Sequence, residues 1–263
     1  MGLLKIITLT TDFGAGSAYV GALKGVILSI HPEVRLVDIS HAIGPQQVFE
    51  AAQVLAEVAP LFPAGTIHLA VVDPGVGTSR AIVYAEIGNQ RYVCPDNGLL
   101  GRLAARESPS KIIRVESERF FRPQVAPTFH GRDIMAPVAA HLSLGLRPEE
   151  LGPPQETLSN LDWPGAVKVA NCIAGEVVAV DSFGNLVTNI SREMLAEAPR
   201  DASVAIVCEG HETRGLFTAY AEQPPMTLIA LIGSNDQLEL AIVDDSAATM
   251  LGAGVGAKVE VCW

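Results

Sequence analysis

The sequence predicts an α/β N-terminal domain, a mostly parallel sheet with helices on both faces, followed by a C-terminal all-β, barrel-like domain. Three observations carry this expectation. Strand and helix patterns alternate through residues 1–145, a Pro-rich polar stretch follows near 146–170, and short β-rich runs fill the remainder. The expected boundaries are 1–150 for the first domain, 151–170 for a linker and 171–263 for the second.

Residues 4–10 (LKIITLT) read as a buried strand, and 18–30 (AYVGALKGVILSI) as a helix with apolar side chains at helical spacing. A strand at 34–40, a helix at 47–59 and a strand at 66–73 (TIHLAVVD) repeat the pattern. AIVYAEIG (81–88) and RYVCP (91–95) lie too close together for a crossover and predict a hairpin. Helices near 97–107 and 134–145 close this half. After the stretch RPEELGPPQETLSNLDWPGAVK, helical patterns nearly vanish. Runs such as GEVVAVDSFGNLVTNI, MTLIALIG and AKVEVCW, punctuated by Gly, Asp, Asn and Pro, suit a small antiparallel barrel or sandwich.

Hydrophobic residues make up 49% of the 263 and charged ones 18%, a composition that supports a well-buried core. The net charge of −11 and the lack of any Lys/Arg-rich run argue against nucleic acid or an anionic membrane as partner. Cys94, Cys172, Cys208 and Cys262 are far apart and form no CxxC, so buried thiols in a reducing cytoplasm are expected. The N-terminal run reads as a first core strand rather than a signal peptide, and no stretch approaches 18 uninterrupted apolar residues. The expectation is a soluble, cytoplasmic protein without a metal or cofactor.

Ligands of open parallel sheets bind beyond the carboxyl ends of the strands. Three such ends carry polar side chains. TTDFGAGSAY places Asp12 just past the first strand, with Gly14 and Gly16 permitting a tight turn. VVDPGVGTSR places Asp73 and Arg80 at the two ends of a short loop, and PTFHGRDIMAP places His130 just before a helix. Each has a structural alternative: Asp12 as a cap, Asp73 and Arg80 as a loop-bracing ion pair, His130 as a satisfied histidine. No GxGxxG, GxSxG or Walker A pattern occurs. These residues alone name no substrate.

Six blocks in fixed order add a resemblance: TLTTDFG (8–14), YVGALKGVI (19–27), GTIHLAVVDPGVGTSR (65–80), CPDNGLL (94–100), TFHGRD (128–133) and DSFGNLVTNI (181–190). Together they closely resemble the S-adenosylmethionine (SAM) hydrolase family, the SAM hydroxide adenosyltransferases, relatives of the SAM-dependent fluorinase and chlorinase. The resemblance implies cleavage of SAM to adenosine and L-methionine by water. It also implies a homotrimer with SAM, as substrate, held at subunit interfaces. Asp73, Arg80 and His130 match the family's water-handling triad, with His130 the natural general base by its usual pKa. Asp12 matches the acid that grips the ribose hydroxyls, and Asp181 a carboxylate near the methionine amino group. Phe183 matches a ring stacked on adenine and Asn185 an amide reading its edge. Ser234 and Asn235 match a loop touching the methionine moiety or the base.

Ser17 departs from a family acid in the first loop, which leaves that methionine-end contact open. Asp73, His130, Gly131 and Gln46 stand where the fluorinase has Tyr, Tyr, Ser and Trp, which favours water over halide. Three alternatives stay beside the hydrolase: a halide-using SAM transferase, a non-catalytic SAM or adenosine binding module, and a metal-dependent hydrolase built on Asp12, Asp73 and His130. The last lacks a second histidine and any HExxH element.

Overall fold

A computed structural model describes residues 5–161 and 165–263. Leu4, at the expected start of the first strand, and Asp162–Pro164 of the expected linker lie outside them. The chain divides into two compact units, residues 1–161 and 162–263.

The first unit begins with β1 (Ile6–Thr11), α1 (Ala18–Ile30), β2 (Arg35–Ser40), α2 (Val48–Val58) and β3 (Ile67–Val71). It continues with β4 (Ile82–Ile87), β5 (Gln90–Pro95), α3 (Gly101–Arg106), β6 (Lys111–Arg114) and α4 (Ala136–Ser143). The sheet order is β2-β1-β3-β5-β4-β6. β1 pairs in parallel with β2 and β3, and β3 with β5, whereas β4 runs antiparallel to β5 and β6. The sheet is therefore mixed, and the expected hairpin is β4–β5.

Both faces are covered, and the packing of β3 explains why its sequence is mostly apolar. Ile67, Leu69 and Val71 pack with Leu23 and Ile27 of α1 and Val138 of α4. Ala70 and Val72, pointing the other way, pack with Leu55 of α2 and Leu103 of α3. A strand buried on both faces is apolar at nearly every position; the exception, His68, is fully buried with its Nδ1 2.7 Å from Thr8 Oγ1 of β1. Ser17, the open position of the first loop, is the N-cap of α1, its Oγ accepting the Tyr19 N–H at 3.2 Å. Residues 153–155 run along β6 in the first unit: Pro153 O accepts the Arg114 N–H and Gln155 N–H donates to Ile112 O.

The second unit contains β7 (Val167–Val169), β8 (Cys172–Val180), β9 (Leu186–Ser191), β10 (Ala205–Cys208) and β11 (His211–Arg214). β12 (Leu228–Ile232), β13 (Gln237–Ile242), the short α5 (Ala247–Leu251) and β14 (Lys258–Cys262) complete it. Its order is β11-β10-β14-β8-β9-β13-β12, with β7 added against β8. A bridge between Phe217 and Leu231 brings the ends toward each other, giving a nearly closed, barrel-like sheet. Its interior is built from alternate positions, such as Val259 and Val261 of β14 and Ile173 and Val177 of β8.

The cysteine expectation is corrected for one pair. Cys172 and Cys262 form a disulfide, with Cα atoms 4.2 Å apart, while Cys94 and Cys208 are free and buried. The cause is register: the two residues face each other directly across the antiparallel β8–β14 pair. Being 90 residues apart in sequence, they reveal no pairing to a spacing rule. The unreduced, denatured protein is expected to show two reactive thiols in a colorimetric thiol titration, and four after reduction. Reduction is expected to lower the stability of the second unit by about 3 kcal/mol, read as a lower urea midpoint. Four thiols without reductant would rule the bond out.

Candidate active site

Asp12 follows β1, and Asp73 follows β3 by two residues. In the parallel register Thr11 lies opposite Val71, so both acids emerge from neighbouring strands at the carboxyl edge of the sheet. The side-chain amide of Asn97, from the CPDNGLL block, fixes the end of β3 by donating to Val72 O at 2.9 Å.

The loop after β3 turns back so that Arg80 grips Asp73. Arg80 Nε lies 2.9 Å from each carboxylate oxygen, and Nη2 also bonds Oδ2. The same Nη2 lies 3.1 Å from His130 Nδ1. The three residues proposed from the sequence thus meet in one hydrogen-bonded line, Asp73–Arg80–His130, with the Asp73 and Arg80 side chains nearly buried. Two glycines permit the approach. A Cβ on Gly131 would stand 2.7 Å from Val71 Cγ1, and one on Gly77 would stand 2.8 Å from Pro127 O. Gly77 also has φ +79°, a region other residues rarely adopt.

The helix expected from residue 134 instead begins with a π-helical turn, Gly131–Met135, that runs into α4. Such turns occur often at functional sites. Here it turns Asp133 into the protein, where Arg132 binds it with two hydrogen bonds, Arg122 with one at 2.8 Å and the Ala126 N–H with one at 2.9 Å. Burial alone pushes the Asp133 carboxyl up, but these donors outweigh it and hold its pKa at about 2. The loop carrying His130 is anchored through this fully buried carboxylate. Phe13, Tyr19 and Phe129 meet edge to face, 5.2 to 6.0 Å apart, joining the Asp12 loop to the His130 loop.

Arginine is a donor only, so His130 Nδ1 must accept. The neutral ring then carries its proton on Nε2. The His130 pKa is lowered, first by burial and then by the Arg80 charge, with Asp73 and Asp133 opposing. Both effects disfavour the imidazolium.

In the second unit, Asp181, Phe183 and Asn185 form the turn between β8 and β9. Asp181 Oδ1 accepts the Phe183 and Asn185 N–H groups at 2.9 and 2.8 Å, and Oδ2 accepts Asn185 Nδ2 at 2.9 Å. This turn borders a cavity of about 930 Å³ that Ser234 also lines. The Phe183 ring is 79% exposed there, and Asn185 is buried. Asn235 plays a different part: its Oδ1 accepts the Gln237 N–H in the turn into β13. Two cavity residues, Tyr220 and Glu239, carry no motif. Tyr220 Oη donates to Glu239 Oε2 at 3.1 Å, and burial with the Glu239 charge raises the Tyr220 pKa to about 12. Glu239 is only 7% exposed, and a Cβ on Gly233 would collide with its carboxylate. The one available sequence signal was a glutamate inside the otherwise apolar run LELAIV.

Among the described residues, no three His, Cys, Asp or Glu side chains form a group able to hold a metal, and no helix is long and apolar enough to cross a membrane. By NMR, the His130 imidazole is expected to titrate below its ordinary 6.5, and Arg80→Ala to raise that pKa by removing a neighbouring cation. A value unmoved by the substitution would mean that the Arg80–His130 contact is not formed in solution.

Comparison with known proteins places the chain in a family. Residues 7–152 match the SAM hydroxide adenosyltransferase N-terminal domain, and 175–260 match the C-terminal domain. A protein named (R)-S-adenosyl-L-methionine hydrolase from Thermus thermophilus is 37% identical, covering 98% of this chain and 100% of its own. A protein of the same name from Salinispora tropica is 36% identical over 97% of each. A fluorinase from Nocardia brasiliensis is more distant, 29% identical over 73% of each. A crystal structure of an uncharacterized conserved protein from Thermotoga maritima superposes with TM-score 0.92 at 34% identity, covering 98% of this chain and all of its own. With both domain models matched and full-length relatives above 30% identity, the chain belongs to the SAM hydroxide adenosyltransferase family.

Proposed function

We propose that the protein hydrolyses SAM to adenosine and L-methionine, and that Asp73, Arg80 and His130 handle the water. The single observation that carries this reading is the Asp73–Arg80–His130 line at the sheet's ligand edge, in a chain whose full-length relatives bear the hydrolase name.

The reaction is a displacement at the ribose C5′. Water forms the new C5′–O bond as the C5′–S bond breaks, and methionine leaves as a neutral thioether with the electron pair. Such a leaving group needs no general acid. The nucleophile is the weak component and must lie in line with the breaking bond. His130 directs its Nε2–H toward that oxygen, because Arg80 occupies Nδ1. For the ring to act as a general base instead, the Arg80 contact must break. Attack by water leaves a protonated 5′-oxygen, an acid strong enough to give its proton to a solvent water once the bond has formed, so the products are adenosine, methionine and a hydrated proton. Arg80 stays charged throughout, and Asp73 orients it and balances its charge. In the transition state the positive charge is spread over the departing sulfur and the entering oxygen, and a pocket of low polarity favours that spread charge over the localised sulfonium.

Asp12 accepts from the vicinal ribose hydroxyls. Asn185 gives its amide nitrogen to Asp181, which leaves its carbonyl to accept from the adenine amino group. Phe183 supplies the stacking face, while Asp181 and Ser234 serve the methionine end; Asn235 supports the Ser234 loop. The family resemblance also supports a homotrimer with sites at subunit interfaces and a cytoplasmic location. Water, rather than halide, is the nucleophile, since Asp73 and His130 replace the fluorinase tyrosines.

Incubation of the purified protein with both sulfonium epimers of SAM, a chelator and no halide is expected to release adenosine and methionine in equal amounts by chromatography. Arg80→Ala is expected to reduce kcat by about 10²- to 10³-fold. Bound SAM without products would leave only a binding module. The pH profile of kcat/KM is expected to fall on the acid side with an apparent pKa below 6.5, since protonating His130 forces Nδ1–H against the Arg80 guanidinium. An acid limb centred above 6.5 contradicts this assignment.

A further inference from the structure

The loop after β2 holds a buried histidine that no motif above accounts for. His41 follows β2 and is 7% exposed. Its Nδ1 lies 2.8 Å from Thr11 Oγ1, at the end of β1. Its Nε2 lies 3.1 Å from Asp38 Oδ1, a close polar approach without hydrogen-bond geometry, and Lys24 Nζ of α1 donates to Asp38 Oδ2 at 2.6 Å. The chain Lys24–Asp38–His41–Thr11 therefore runs from the surface to the residue immediately before Asp12.

The backbone of the same loop holds the other side of Asp12. His41 O accepts the Gly14 N–H at 2.8 Å, where Gly14 has φ +90°. Gln46 then donates its N–H to Asp12 Oδ2 at 2.9 Å, from a left-handed conformation with φ 64°. Thr11 Oγ1 also accepts the Phe13 N–H at 3.3 Å. Asp12 is thus flanked on both sides by residues tied to one loop, and its own carboxylate is tied to that loop as well. Among the described residues Oδ1 has no hydrogen-bond partner, so it is the oxygen open to a ligand. A non-glycine residue at φ 64° carries strain, and such strain persists where surrounding contacts over-determine it. Here those contacts aim one carboxylate.

We propose that His41 is a positioning residue for Asp12: its ring, held between Thr11 and Asp38, fixes the loop that orients the Asp12 carboxylate toward a vicinal diol. This rests on the reading of Asp12 as the ribose-binding acid. A carboxylate accepting from two hydroxyls on adjacent carbons must have its plane and its distance set together. A flexible acid at this turn binds the same diol at an entropic cost. Asp38 is held below the ordinary carboxylate range: burial raises it, but Lys24 and His41 more than compensate. The charged anchor at the far end of the chain is thereby kept.

The test is the affinity of the full-length protein for adenosine and for 2′,3′-dideoxyadenosine, measured by calorimetry, which needs no turnover. The variants are His41→Ala, His41→Asn, Thr11→Val and Asp12→Asn, with the double variant His41→Ala/Asp12→Asn. His41→Ala is expected to weaken adenosine about tenfold, the size of one hydrogen bond to a charged group, and to leave the dideoxynucleoside unchanged. His41→Asn keeps an amide near the Nδ1 position and is expected to recover most of the loss. Thr11→Val removes the hydroxyl at nearly constant volume and reports on the same link if His41→Ala fails to fold. The double variant is expected to bind adenosine no worse than Asp12→Asn alone. If His41→Ala and Thr11→Val weaken both nucleosides equally, or neither, while Asp12→Asn weakens adenosine alone, the positioning role is overturned and the ribose role of Asp12 stands. If Asp12→Asn changes neither affinity, the ribose reading fails and the inference falls with it.

Discussion

A guanidinium can only donate, and the first unit's site is organised around that restriction. Arg80 spends its donors on both oxygens of Asp73 and on Nδ1 of His130. One side chain thereby fixes the shape of the loop after β3, the charge state of its neighbour and the tautomer of the histidine. The ion pair is poor evidence for stability, since desolvating two charges offsets most of their attraction. Its value lies in geometry. A histidine whose Nδ1 is occupied presents Nε2–H, and a lowered pKa keeps the ring neutral at physiological pH.

That arrangement depends on backbone approaches only glycine permits. Gly131 brings the His130 segment against Val71, and Gly77 brings the Asp73 loop against Pro127. The π-helical turn contributes the complementary constraint. By turning Asp133 inward to two arginines and a backbone N–H, it pins the segment from 122 to 133 at one point just beyond the histidine. The sheet beneath supplies rigidity, because β3 is packed on both faces along its whole length. A site built at the end of such a strand inherits its precision.

The second unit achieves order by different means. Asp181 uses both oxygens to close its own turn, so the residues that resemble ligand contacts are also the ones that shape the cavity wall. The Asn185 amide nitrogen is committed to the turn, donating to Asp181 Oδ2. Glu239 and Tyr220 extend this polar wall, with Gly233 giving the carboxylate room.

Much of the fold was legible in the sequence because periodicity and burial are local signals. The helix at 18–30, the β4–β5 hairpin and the change to short strands beyond the Pro-rich stretch all follow from patterns within a few residues. The TFHGRD and VVDPGVGTSR blocks likewise identified Asp73, Arg80 and His130. What joins them was decided by tertiary structure: a sheet order that sets β1 beside β3, and a loop closure that carries Arg80 onto His130 across 50 residues of chain. The Cys172–Cys262 bond, the inward Asp133, the link from His41 to Thr11 and the Glu239 carboxylate belong to the same class. Each depends on register or on approach between distant segments, and no local pattern records either. The sequence by itself determined which chemistry is present at each strand end; only the packed chain decided which donor faces which acceptor, because hydrogen bonding is set by distance and direction in space.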